Sequence, residues 1–207
     1  MSTTRSKIET SWSLMIVWIL SVLVAIASLR FLIAELSLVM PHMVHHAMSR
    51  PVSLYLHIGL APIALLLLPV QFSQRLRSCR PGLHRWGGRL YAVMVLLAGI
   101  SALLLAITSE AGPIAAAGFG LLAILWLAIT ARAVQLAMQR RIAEHRRWMI
   151  RSAALTLAAV TLRIYLPIGI PLLGFELAYV LVSWACWVPN LILAEWMLRR
   201  RVAAQPA

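Results

Sequence analysis

Six apolar blocks, each long enough to cross a bilayer and bounded by arginines or turn residues, leave this chain few folds to adopt. A membrane-spanning helix needs about 20 consecutive apolar residues. The blocks fall near residues 12–30, 53–72, 90–108, 113–137, 148–167 and 175–198. No stretch between them is long enough for a soluble domain, the longest running over residues 31–52. The expectation is therefore an all-α, polytopic transmembrane helix bundle of six helices, built as a single membrane domain over residues 1–207. Pro113 suits the first turn of the fourth helix, where its missing N–H costs nothing. Pro167, Gly169, Pro171 and Gly174 mark a tight hairpin between the fifth and sixth. The first block has signal-peptide features, with Arg5 and Lys7 ahead of it. It continues through Phe31-Leu32-Ile33, so it is read as a retained anchor.

The charged residues orient this bundle. A net charge of +13 in a soluble chain would suggest nucleic acid. Here the arginines punctuate apolar blocks and never line one amphipathic face, which excludes that partner. Fourteen basic residues fall on one side: Arg5, Lys7, Arg75, Arg77, Arg80, Arg85, Arg89, Arg140, Arg141, Arg146, Arg147, Arg199, Arg200 and Arg201. Only Arg30, Arg50 and Arg163 fall on the other. Basic loops stay in the cytoplasm, so both termini are expected inside, in a bacterial cytoplasmic (inner) membrane. Cys79 and Cys186 then lie toward a reducing compartment and are read as free thiols.

Ionisable and polar residues inside a membrane are costly and are functional candidates by default. On the fifth helix, Ser152, Thr156 and Arg163 fall within about 20° of the azimuth of His145. This polar face should point into the bundle, and Glu176 across the hairpin is a plausible partner for Arg163. The competing account is structural: interhelical hydrogen bonds, with the arginine snorkelling to phosphates. The two accounts weigh about equally. In the sixth helix, Pro189 should kink the chain, Asn190 should bond across the bundle, and Glu195 should pair with an arginine.

Two segments echo each other: His84-Arg85-Trp86-Gly87-Gly88-Arg89, and His145-Arg146-Arg147-Trp148-Met149-Ile150-Arg151. Arginine and tryptophan are accounted for by interfacial anchoring, but a histidine in each copy is not. His84 and His145 sit at the same depth on different helices, an arrangement able to ligate one haem or metal. Below His84 the face reads Gly88, Tyr91, Val95 and Ala98, open either to a flat cofactor or to a neighbouring helix. His57 lies toward the opposite end. The loop Met40-Pro41-His42-Met43-Val44-His45-His46-Ala47-Met48 supplies three thioethers and three imidazoles, a composition that suits Cu(I).

The runs Leu56-His57-Ile58-Gly59, Pro69-Val70-Gln71-Phe72, Leu83-His84-Arg85-Trp86-Gly87-Gly88-Arg89-Leu90-Tyr91, His145-Arg146-Arg147-Trp148-Met149-Ile150-Arg151-Ser152, Thr161-Leu162-Arg163-Ile164-Tyr165-Leu166-Pro167 and Trp187-Val188-Pro189-Asn190 resemble the bacterial predicted-membrane-protein family known as domain of unknown function 2306. The resemblance covers roughly residues 53–200. It implies a membrane fold and carries no activity. Three functions stay open on the residues themselves. One is a membrane redox protein holding haem b through His84 and His145, with His57 at a second site, and drawing electrons from quinol or a membrane partner. The second is a small transporter, its pathway enclosed in a homodimer, with the His145-to-Arg163 face as its path. The third is a scaffold or assembly factor whose arginines hold anionic lipid headgroups.

Overall fold

The computed structural model describes residues 2–203, with side chains described for residues 15–200. Every regular element among them is helical: α1 (Ser2–Ser28), α2 (Arg30–Ile33), α3 (Leu36–Val39), a 3-10 turn (Pro41–Met43), α4 (Val44–Ser49), α5 (Pro51–Phe72), α6 (Gln74–Cys79), α7 (Pro81–Ile107), α8 (Pro113–Met138), α9 (Ile142–Thr156), α10 (Ala158–Leu173), α11 (Phe175–Ala185) and α12 (Val188–Ala203). They make six helical spans long and apolar enough to cross a membrane: Met15–Ile33, Pro51–Phe72, Pro81–Ile107, Pro113–Met138, Ile142–Leu173 and Phe175–Arg200. Proline occupies the first turn of α5, α7 and α8, where the helix has no use for its missing N–H. The chain is an integral membrane protein of the all-α class.

Spans five and six are each two helices end to end. Span five turns at Leu157, where the Val160 N–H bonds the Leu157 carbonyl at 3.0 Å in a tighter, i to i+3 turn. Span six breaks at Cys186–Trp187, one turn before Pro189. The proline ring clashes with a carbonyl four residues back, which accounts for a break at that position. Asn190 takes up the Cys186 carbonyl there through its side-chain nitrogen at 3.0 Å, and reaches across to Thr161 Oγ1 at 2.9 Å.

The expected hairpin at Pro167, Gly169, Pro171 and Gly174 is corrected. Helix α10 runs through both prolines to Leu173, and only Gly174 turns the chain, at φ 77°. Both prolines are exposed on the helix, and membrane helices tolerate such residues where neighbours re-satisfy the backbone. The fifth span therefore extends well beyond the 148–167 expected.

Helix α7 is central, lying along α5 on one side and α8 on the other, with α9 against α8. The contact surfaces are built of small residues, Ala64, Ala98 and Ala133 being fully buried. Close backbone approach through small residues is how helices associate in lipid, which offers no hydrophobic gain. Large apolar side chains such as Leu97, Ile100, Ile124 and Leu181 lie outside, where bilayer rather than water would cover them. Cys79 is exposed and Cys186 buried, both as free thiols.

Candidate functional sites within the helix bundle

The polar face of span five divides in two. Its lower half forms a buried hub between α7, α8 and α9. Tyr91 Oη lies 2.7 Å from both Ser152 Oγ and Thr156 Oγ1. Thr130 Oγ1 lies 2.7 Å from Ser152 Oγ. Trp126 donates through Nε1 to Thr156 Oγ1 at 2.9 Å, and the Thr156 hydroxyl donates to the Ser152 carbonyl at 2.9 Å. The protons can then be assigned in sequence. Thr156 gives its proton to the carbonyl, so Tyr91 must donate to Thr156 and accept from Ser152. Ser152 in turn accepts from Thr130. Four hydroxyls point one way and end on a backbone carbonyl, with every group satisfied. Such a string is closed, and it lines no cleft.

The pairing of His84 with His145 is altered by Gln71. The amide orientation that satisfies its neighbours puts the nitrogen 3.1 Å from both the His84 carbonyl and His84 Nδ1, to which it donates, and the oxygen 3.1 Å from the Gly88 N–H, from which it accepts. Gly87 is what admits this side chain, since a Cβ there would come within 2.2 Å of the Gln71 amide. His84 Nδ1 is thus an acceptor, and its proton sits on Nε2. A metal-ligating histidine has the reverse arrangement, donating one ring N–H to a carbonyl and binding through the other nitrogen. The face below His84 is also filled: Tyr91 belongs to the hub, and Val95 and Ala98 are 1% and 0% exposed. Of the two openings expected there, the structure places a neighbouring helix rather than room for a flat cofactor.

His145 and His57 have the ligand-ready arrangement. His145 Nδ1 lies 2.8 Å from the Ala133 carbonyl, and His57 Nδ1 lies 3.0 Å from the Ala98 carbonyl. A carbonyl only accepts, so each ring carries a proton on Nδ1, and its neutral form has Nε2 as the acceptor. His145 stands at the arginine-rich end. His57 stands in the other half of the bundle, within electrostatic reach of Arg163.

Arg163, the upper half of the expected face, lies on α10 away from the hub. It is half-buried and donates through Nη1 to the Ala159 carbonyl at 3.1 Å. Its Cζ lies 6.0 Å from the Phe31 ring centroid, and Arg30 stacks on the same ring at 4.8 Å. Among the described residues no carboxylate lies within ion-pair distance of Arg163. The expected partner, Glu176, does not pair with it. Because α10 continues ten residues past Arg163, the turn carrying Glu176 sits about 15 Å farther along the axis. Arg163, Arg30 and Phe31 therefore make a cationic cluster where α2 and α10 approach, within electrostatic reach of His57 on α5.

Glu195 is paired as expected, with Arg151 in a two-pronged contact. The pair borders a groove with Arg132, Trp148, Leu125, Ile129 and Leu191 between α8, α9 and α12. At the arginine-poor end, the Met/His loop does not gather its six candidates. Met48 is 82% exposed, and His42 is stacked on Phe175 at 3.5 Å between ring centroids. Met48 thus points outward, and His42 is drawn off onto the start of α11. Met40 and Met43 remain half-buried. His45 and His46 stay together, with centroids 3.8 Å apart. Burial, with a smaller contribution from His45, holds the His46 pKa below its ordinary 6.5.

With the helices and their polar groups placed, comparison with known proteins decides the family. The chain belongs to the family DUF2306, described as a predicted membrane protein. The match covers residues 54–198. It takes in the hub, the Gln71 clasp, His57 and Arg163, and leaves out Arg30, Phe31 and the Met/His loop. No curated protein and no solved structure matches the chain.

Sequence reasoning missed Trp126 and Thr130 in the hub and Gln71 as the partner of His84. Gln71 carried a signal, since a glutamine in an apolar helix and a Gly-Gly pair on the next both call for explanation. Gly87→Ala should destabilise the protein by roughly 1–3 kcal/mol, the range for stranding buried polar groups. Removing the clash with Gln71→Ala in the same chain should recover part of that loss. Thermal unfolding in detergent checks this, and additive losses in the double variant would contradict the contact.

Proposed function

We propose that this protein is a membrane redox component that binds the head group of a quinol at His57 and Arg163. One observation supports the reading: an acceptor, His57, and a donor, Arg163, lie on two membrane spans close enough to interact electrostatically, and neither has an ion-pair partner among the described residues. Arg163 lies ten residues below Leu173, the end of its span, about 15 Å along the helix. An unpaired cation at such depth is expensive and marks a functional site by default. The neutral His57 ring offers a lone pair on Nε2, and Arg163 offers guanidinium N–H groups. A simple anion would satisfy the arginine and leave the histidine without a donor. A quinol presents O–H groups to His57, and its oxidised form presents carbonyls to Arg163. First-span packing is thin, and Arg30 on it is exposed, which suits a ligand arriving from lipid.

A b-type haem is the second reading, favoured by the Nδ1–H of His57 on a carbonyl and by two guanidiniums, Arg163 and Arg30, suited to two propionates. His145 has the same ring orientation at the other end. The scaffold reading finds its support in the exposed arginines at the opposite end, which suit anionic headgroups.

The arginine asymmetry supports a cytoplasmic location for that end, in a bacterial inner membrane. Membrane-impermeant maleimide should then label Cys79 in inverted vesicles and not in intact spheroplasts; the opposite pattern would reverse the orientation. A short-chain quinone should bind the purified protein, with affinity reduced about tenfold or more in His57→Ala and Arg163→Ala. That is the order expected for losing one hydrogen bond to a charged or buried group. Equal binding by both variants would refute the site, and a Soret band lost in His57→Ala would replace quinol by haem.

A further inference from the structure

At the arginine-poor end, two imidazole nitrogens are buried with nothing to bond. His45 Nε2 and His46 Nδ1 are shielded from solvent and lack any hydrogen-bond partner. His46 as a whole is only 3% exposed. A buried polar atom without a partner costs on the order of 1–3 kcal/mol, so two on adjacent rings call for a ligand that supplies both at once. The other nitrogen of His45, Nδ1, lies 3.7 Å from Glu110 Oε2 on the turn between α7 and α8, beyond hydrogen-bond distance. The carboxylate places a negative charge beside the ring from a different part of the chain, and that charge offsets that of a bound cation.

We propose that His45 and His46 bind one Cu(I) ion through His45 Nε2 and His46 Nδ1. The small number of donors argues for this metal. Among the described residues no group of three or more His, Cys, Asp or Glu side chains is placed to surround an ion. Zinc takes four ligands in structural sites and three in catalytic ones, and calcium takes six or more oxygens. Cu(I), a soft d10 ion, is stable with two or three ligands and accepts thioethers. Met40 and Met43, half-buried in the same segment, offer the third donor. Met48, which points away, is no part of the site. The site is independent of the quinol reading, sharing no residue with it.

The test uses the full-length protein in detergent under ascorbate, in a Cys79→Ser background so that the exposed thiol takes no copper. Increasing protein is titrated into the coloured Cu(I)–bicinchoninate complex. The protein should withdraw one Cu(I) per chain, with affinity reduced tenfold or more in both His45→Ala and His46→Ala. Met48→Ala should compete as the parent does, and Glu110→Gln should weaken binding by a smaller factor. Circular dichroism on each variant shows that the helices are intact. A parent protein that withdraws no copper overturns the proposal, and so does copper uptake unchanged by His46→Ala.

Discussion

Hydroxyl groups buried in a bilayer must find partners within the protein, and in this structure Tyr91, Thr130, Ser152 and Thr156 find one another. Each of the four is 4% exposed or less. In lipid an unmet polar group costs several kcal/mol, whereas a single interhelical hydrogen bond contributes only about 0.6–2 kcal/mol. The hub therefore acts mainly as a constraint. It allows α7, α8 and α9 one mutual rotation and depth, because a shift of any helix strands at least one hydroxyl. The small-residue contacts around it, Ala98 and Ala133 among them, then become possible at close range. His84 and His145, which sit on these same helices, and His57 on α5 beside them take their positions from that fixed frame.

This arrangement separates structural polarity from functional polarity within what the sequence presents as one stripe. Ser152 and Thr156 are wholly occupied, and their proton string ends on a carbonyl. Arg163 shares their azimuth on an ideal helix, but lies beyond the turn at Leu157 and belongs to another neighbourhood. His84 and His145 divide similarly. They look equivalent as residues, yet Gln71 sets the proton of one ring on Nε2 and Ala133 sets that of the other on Nδ1. The symmetry of the two His-Arg-Trp segments thus conceals opposite ring chemistry.

What was legible in the sequence follows from physics that acts locally. Span number depends on apolar length, and the pairing of Glu195 with an arginine, here Arg151, depends on the scarcity of acids among many bases. The interhelical bond of Asn190 follows from the absence of water. What was illegible depends on distant neighbours. Thr130 and Trp126 are ordinary members of an apolar helix until Ser152 and Thr156 come opposite them. Pro167 and Pro171 read as turn residues because their effect in water is to end helices, whereas the low-dielectric surroundings of a span favour keeping the backbone bonded. That one misplaced turn also produced the mistaken pairing of Arg163 with Glu176. Correcting it is what leaves Arg163 without an acidic partner and makes its neighbourhood with His57 chemically interesting.

The central claim is that the hub is a closed, cooperative network joining α7 to α9. A double-mutant cycle on Tyr91→Phe and Ser152→Ala, read by equilibrium unfolding in detergent, tests it directly. The account predicts that each single change destabilises by about 1 kcal/mol or more and that the double change costs clearly less than their sum, since both remove the same shared bond. Strictly additive losses, or a Tyr91→Phe protein as stable as the parent, would contradict it.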